Sequence, residues 1–308
     1  MSALAFTFLA LMLVGPVPAL LARASWPMRA PRASIVLWQS IAVAAVLSAF
    51  SAGLAIASRL FVPGPDGRPT ATITSEIEVL GWPLWLAYVS VLAVTLVIGA
   101  RLLVAGVQVA VATRRRRAHH RMVVDLLGES RHGVSGLRVL DVAEPLAYCL
   151  PGVRSRVVLS EGALAALSDS ELAAILSHER AHLRARHDLV LEAFIAVHTA
   201  FPRFVRSGSA LNAVRLLVEL LADDAAVRTA GPTPLARALV TCASGRTPNG
   251  ALAAGGPTTV IRVRRLSGRP NSLLLSLAAY TAAAAVLVVP TVAVAMPWLT
   301  ELHRLFLS

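Results

Sequence analysis

The 308-residue sequence contains no lysine, so all 29 of its basic residues are arginine. Cysteine is almost absent as well. Cys149 and Cys242 stand alone without a CxxC spacing, which excludes a disulfide scaffold and a cysteine-built metal or redox site. Charge is scarce, with 15% of residues charged against 56% hydrophobic, and mean hydropathy is +0.68. Such values exclude disorder, collagen and an ordinary water-soluble domain of this size. Four stretches, residues 1–22, 33–58, 79–100 and 270–300, hold no Asp, Glu or Arg at all. Each exceeds the roughly 18 apolar residues that cross a hydrocarbon layer, so four transmembrane helices are expected. Their approximate bounds are 2–22, 34–58, 80–110 and 270–300.

The charges that are present set an orientation. Arg23, Arg29 and Arg32 follow the first apolar run rather than precede it, which fits a retained helix and not a cleaved signal. By the positive-inside rule this first connection is cytoplasmic. The second, around residues 61–78, carries Asp66, Glu76 and Glu78 with only Arg68, and is expected outside. The third run emerges into Arg114, Arg115, Arg116, Arg117 and Arg121, a stop-transfer cluster that would sit against anionic headgroups. Arg262, Arg264, Arg265 and Arg269 close the following segment on the same side.

The expected organisation is therefore a membrane region over residues 1–113, a cytoplasmic domain over 114–269, a fourth span over 270–300 and a short external tail over 301–308. Both termini are external, and the cell membrane is the location. The 114–269 segment holds 22 Arg against 13 acidic residues, but many of those Arg lie at its two membrane borders. No helix-turn-helix or zinc-finger spacing organises the rest, so direct nucleic-acid binding is not expected.

Within that segment, residues 137–142 and 155–160 are short, rich in β-branched and aliphatic side chains, and bounded by Gly and Pro. They read as strands. From Ser160 onward the pattern is helical. Ser168-Asp169-Ser170-Glu171 has the form of a capping box and should open a helix running to about residue 187. Further helices are expected over 188–201 and 211–230, the latter stopped by Gly231-Pro232, followed by an exposed linker at 244–259. The fold class is thus a four-span helical membrane protein with a cytoplasmic α+β domain, mostly helical with a small sheet.

The capped helix carries His178-Glu179-Arg180-Ala181-His182, an HExxH sequence. Two imidazoles four residues apart share a helix face and can bind one tetrahedral Zn2+, while Glu179 is placed to take a proton from the attacking water. A catalytic site needs a third protein ligand and one open position. His187 lies five residues beyond His182, about 140° around a continuous helix, and so falls on the wrong face. The better candidate is Glu219, with Asp223 four residues later on the same face to accept a hydrogen bond from a ligand imidazole, that of His178. A sheet edge at residues 155–160, through Arg156, Val157, Val158 and Leu159, is expected to bind substrate backbone by strand addition. Arg203, Arg228 and His198 each remain candidates for an oxyanion donor.

HExxH followed about 37 residues later by ExxxD resembles the gluzincin class of zinc peptidases. With three spans before the domain and one after it, the chain resembles the membrane-embedded metallopeptidases of the β-lactam sensor and antirepressor type (BlaR/MecR type). The run Ser155–Ser160 and the pair His187-Asp188 also match that family's pattern. The resemblance implies a cytoplasmic zinc endopeptidase, one Zn2+ per chain, switched through its membrane helices. It further implies a protein or peptide substrate, a transcriptional repressor and the chain itself among them, and a homo-oligomer as one arrangement. One departure is large. In this sequence a short stretch follows Pro297 and no S-x-x-K motif occurs, so an external penicillin-binding domain and direct β-lactam sensing are not expected. Two rivals share these features: a membrane-protein quality-control or CAAX-processing-like metallopeptidase, and a non-enzymatic receptor or adaptor holding structural zinc.

Overall fold

A computed structural model gives the architecture and describes residues 2–60, 73–130, 136–201, 208–243, 252–253, 258–268 and 271–307. Asp66, Arg68, Arg203, Arg269 and most of the expected 244–259 linker lie outside the described residues. The first apolar run forms two helices, α1 (Ser2–Val14) and α2 (Pro16–Arg23). Pro16 has no N–H and disfavours a helical residue before it, so the ladder breaks at Gly15. There follow α3 (Pro31–Ala57), α4 (Ile73–Leu80) and α5 (Trp82–Leu127).

Four helical stretches, Leu4–Arg23, Pro31–Ala57, Trp82–Leu127 and Leu273–Val292, are long and apolar enough to cross a membrane, and they suggest a membrane protein. On α5 the side chains of Leu84, Leu86, Val94, Val97 and Leu103 are each more than half exposed, a surface suited to lipid. α3 packs against α1, α5 and the last helix, α12 (Leu273–Leu307). Its approach to α5 is close: a Cβ on Gly53 would collide with the Thr95 side chain.

α5 is much longer than the expected 80–110 run. Its 46 residues extend about 69 Å at 1.5 Å per residue, over twice the roughly 30 Å of hydrocarbon in a bilayer. No Gly or Pro interrupts the chain between Gly106 and Gly128, so the Arg cluster continues the helix as a stalk instead of ending it.

Beyond the stalk lies a mixed five-stranded sheet of order β1 (Glu129–Ser130), β2 (Leu137–Leu140), β4 (Arg156–Ser160), β3 (Ala147–Leu150) and β5 (Leu252–Ala253). β2 and β4 are the expected strands and run parallel, while β3 pairs antiparallel with β4. The expected free edge at Arg156, Val157, Val158 and Leu159 is corrected by this order: β4 is hydrogen-bonded on both sides and has no edge left for a substrate. Where β4 ends, Ser160 Oγ accepts from Leu146 N and Ala163 N and donates to Glu144 O, capping α6 (Glu161–Ala166). Gly162 is required there, since a Cβ would overlap the Ala143 carbonyl.

α7 (Asp169–Ala185) opens with the capping box, Glu171 Oε2 accepting from Ser168 N at 2.9 Å. It stops at Arg186, which adopts the left-handed conformation (φ 51°), and α8 (His187–Ala200) starts at the next residue. α9 (Gly208–Ala230) follows. Gly231-Pro232 ends α9 as expected, yet Pro232 also opens α10 (Pro232–Cys242), because proline is well tolerated at a first helical position. A further helix, α11 (Thr259–Leu266), precedes α12.

Two cores result. One joins α7 to the sheet and α10 through Ala174, Ile175, Leu159, Leu235 and Leu239. The other joins α9 to α8 and α3 through Val214, Val218, Leu220, Phe194, Ile35 and Trp38, so the apolar helices and the domain share a packed interior.

Candidate metal centre

α7 and α9 pack side by side and bring their polar residues into the interior. His178, Glu179, His182 and Asp223 are each 1% exposed or less. Such groups need partners when buried. His178 Nε2 lies 3.2 Å from His182 Nε2 and 3.4 Å from Glu219 Oε2, and His182 Nε2 lies 3.6 Å from Glu219 Oε1. A tetrahedral Zn2+ with bonds of 2.0–2.1 Å requires donors about 3.3 Å apart. The three side chains therefore fit such an ion, with their ligating atoms all within 4.8 Å of one another.

Behind the donors is a supporting layer. Asp223 Oδ1 is 3.0 Å from His178 Nδ1, the geometry that holds the imidazole with its other nitrogen turned to the ligand set. Arg262 of α11 completes it: its Nε and Nη2 donate to the two Asp223 oxygens at 2.9 and 2.6 Å, and its Nη1 is 3.0 Å from Glu219 Oε2. Expected at a membrane border, Arg262 is instead 1% exposed inside the site. A bidentate guanidinium fixes both carboxylates in register along α9. Of the sequence-derived oxyanion candidates, Arg228 is exposed on α9 and His198 lines an apolar cavity among α1, α3, α5, α8 and α9.

His187 also departs from expectation. Its Nδ1 is 3.1 Å from His182 Nδ1, on the side of that ring away from Glu219. The 140° argument assumes one continuous helix; the left-handed turn at Arg186 breaks it and swings His187 back against His182.

Burial and pairing separate the proton affinities. Burial alone would lower His178, but the Asp223 and Glu219 carboxylates beside it outweigh that and raise it to about 9. Burial lowers His182 to about 3 and His187 to about 4. Burial opposes ionisation of Glu219, yet the charge of His182 and the hydrogen bond to His178 hold it down at about 2. Glu179 goes the other way, pushed up by burial to about 7. Its two oxygens have no nitrogen or oxygen donor among the described residues, the Cys149 thiol being a weak hydrogen-bonding neighbour. A buried, unpaired carboxylate beside three side chains that could hold a metal ion has the placement a proton acceptor requires.

The family model of peptidase family M48 matches residues 114–270, just over half of the chain. The chain belongs to peptidase family M48. This M48 peptidase is a hydrolase by family, and its matched region contains every side chain of the site just described. No curated protein and no solved structure matches the chain.

Proposed function

We propose that this M48 peptidase is an integral membrane zinc endopeptidase. In this reading His178, His182 and Glu219 hold one Zn2+, the domain over 114–269 lies on the cytoplasmic side, and both termini lie outside. The observation that carries the reading is the convergence of two imidazoles and one carboxylate at tetrahedral spacing, with the unpaired Glu179 carboxylate on the same helix. When bound, the zinc supplies Lewis acidity toward the scissile carbonyl and an attacking water. Glu179 accepts the proton from that water and returns it to the leaving amine. Asp223 holds His178 in one tautomer through Nδ1, and Arg262 keeps Asp223 and Glu219 ionised and aligned.

The role that fits best is regulated proteolysis of the antirepressor kind, a soluble transcriptional repressor and the chain's own linker being the substrates. A quality-control or CAAX-processing-like role is favoured by one observation. The apolar cavity of about 160 Å³ among α1, α3, α5, α8 and α9 borders the helices of membrane-crossing length, where an apolar substrate segment would enter. The adaptor reading needs four protein ligands on a structural zinc, and among the described residues the donor group holds three.

Zinc content and peptide hydrolysis, measured on the intact chain and on Glu179→Gln, test the enzymatic reading. Metal retained with hydrolysis lost supports it; hydrolysis unaffected by Glu179→Gln or by chelation refutes it. Trapping with Glu179→Gln then separates the roles, by retention of a soluble transcription factor or of membrane polypeptides.

A further inference from the structure

We infer that Arg117, on the stalk of α5, is a positioning residue for the metal centre, acting through the first turn of α8 and His187 on the ring of His182. The inference rests on the reading of His178, His182 and Glu219 as zinc ligands.

Arg117 stands apart from its neighbours. Arg114, Arg115 and Arg116 are exposed, whereas the Arg117 side chain is only 12% exposed and faces the domain. Its Nη1 lies 3.0 Å from Asp188 Oδ2 and 2.6 Å from Glu192 Oε1. Those carboxylates are four residues apart on α8 and share a face, so without a cation between them they would repel. With side-chain exposures of 5% for Asp188 and 13% for Glu192, the cluster is shielded enough for the pairing to fix geometry.

The pairing is one covalent step from the site. Asp188 follows His187 directly, and His187 Nδ1 contacts His182 Nδ1 at 3.1 Å. The partner of the outer nitrogen decides how an imidazole is turned and which nitrogen it offers to a metal. No loop lies between α7 and α8 to absorb a displacement, since Arg186 alone makes the turn. α8 is held at its other end too: Arg101 Nε donates to Ala200 O at 3.0 Å, a cation at a helix C-terminus. The two arginines are about 24 Å apart along α5 and α8 is about 20 Å long, so α8 is clamped end to end, antiparallel to α5. A shift of α5 therefore moves His187 against His182.

The test uses the full-length chain in lipid nanodiscs, with Zn2+ affinity measured by chelator competition and kcat and KM measured on a peptide. Arg117→Ala is expected to weaken zinc binding about 10-fold, the lower end for loss of support behind a ligand, and to lower kcat with little change in KM. Glu192→Ala should do the same, the double variant should be no worse than either single one, and Arg117→Lys should recover part of the loss. Arg138→Ala breaks the outlying pair with Asp125 and controls for general loosening of the stalk. Zinc affinity in Arg117→Ala no lower than in Arg138→Ala overturns the inference. Should Arg117→Ala fail to fold, wild-type zinc affinity in both Arg117→Lys and Glu192→Gln overturns it equally. Zinc bound alike by all variants sinks only this inference, whereas no zinc bound by the unsubstituted chain sinks the metal-centre reading together with it.

Discussion

Helices α5 and α9 expose opposite chemistry. α5 leaves Leu84, Val94 and Leu103 bare and turns Arg117 toward the domain, while α9 hides Val214, Val218, Leu220 and Asp223 and shows Asn212, Arg215 and Arg228. Each pattern would be costly in the other's surroundings: exposed leucines are stable against hydrocarbon, and a buried carboxylate is stable only when paired. The two patterns meet where Arg117 of the stalk engages α8. That junction carries as much structural information as either half.

The largest expected effect on this contrast is at the buried, unpaired carboxylate. Glu179→Gln should lower kcat on a peptide by about 10²- to 10⁴-fold, the range for losing a proton acceptor, with zinc retained. Because burial raises Glu179 to about 7, the ionised form that the proposed mechanism requires is lost as pH falls through that value. A pH profile of kcat/KM should therefore show an acid limb at or below about 7 in the intact chain, displaced downward to the extent that zinc favours the anion, and Glu179→Gln should lack it. Next comes the packed interior. Leu220→Ala, at a position with no exposure, should cost about 2–5 kcal/mol in a reversible unfolding measurement. Smaller again, Asp223→Asn should weaken zinc binding about 10- to 100-fold by chelator competition. The smallest change belongs to Leu103→Ala, 74% of whose leucine side chain faces outward on α5; stability in nanodiscs should move by no more than about 0.5 kcal/mol. A larger loss at Leu103 than at Leu220 would reverse the assignment of inside and outside.

Spacing made the heart of the site legible. An i, i+4 pair of imidazoles and an i, i+4 pair of carboxylates each had to share a helix face, and the structure brings all four together with Glu179. Capping chemistry placed the start of α7 for the same local reason. What sequence could not supply was anything that depends on a break or on a distant return of the chain. His187 was misplaced by an angle computed for an unbroken helix, which one left-handed residue invalidates. Arg262, 39 residues beyond Asp223, sits in a basic run whose composition suits a membrane border, and its destination follows from the packing of α11 alone. Strand order is equally non-local, so β4 read as an edge although β3 covers it. The Pro232 signal was available but double-edged, closing α9 and opening α10 at once.

The arginine next along α11 has a different consequence. Arg265 grips both oxygens of Asp224 and the backbone oxygen of Met28, while Ser272 N donates to Arg29 O and α12 runs along α3. If the peptide bond were severed anywhere between α10 and α11, the carboxyl-terminal piece would therefore stay docked, with Arg262 still seated on Asp223. Scission there would convert one polypeptide into a two-part assembly rather than shed a fragment, visible as two species under denaturing conditions and one without them.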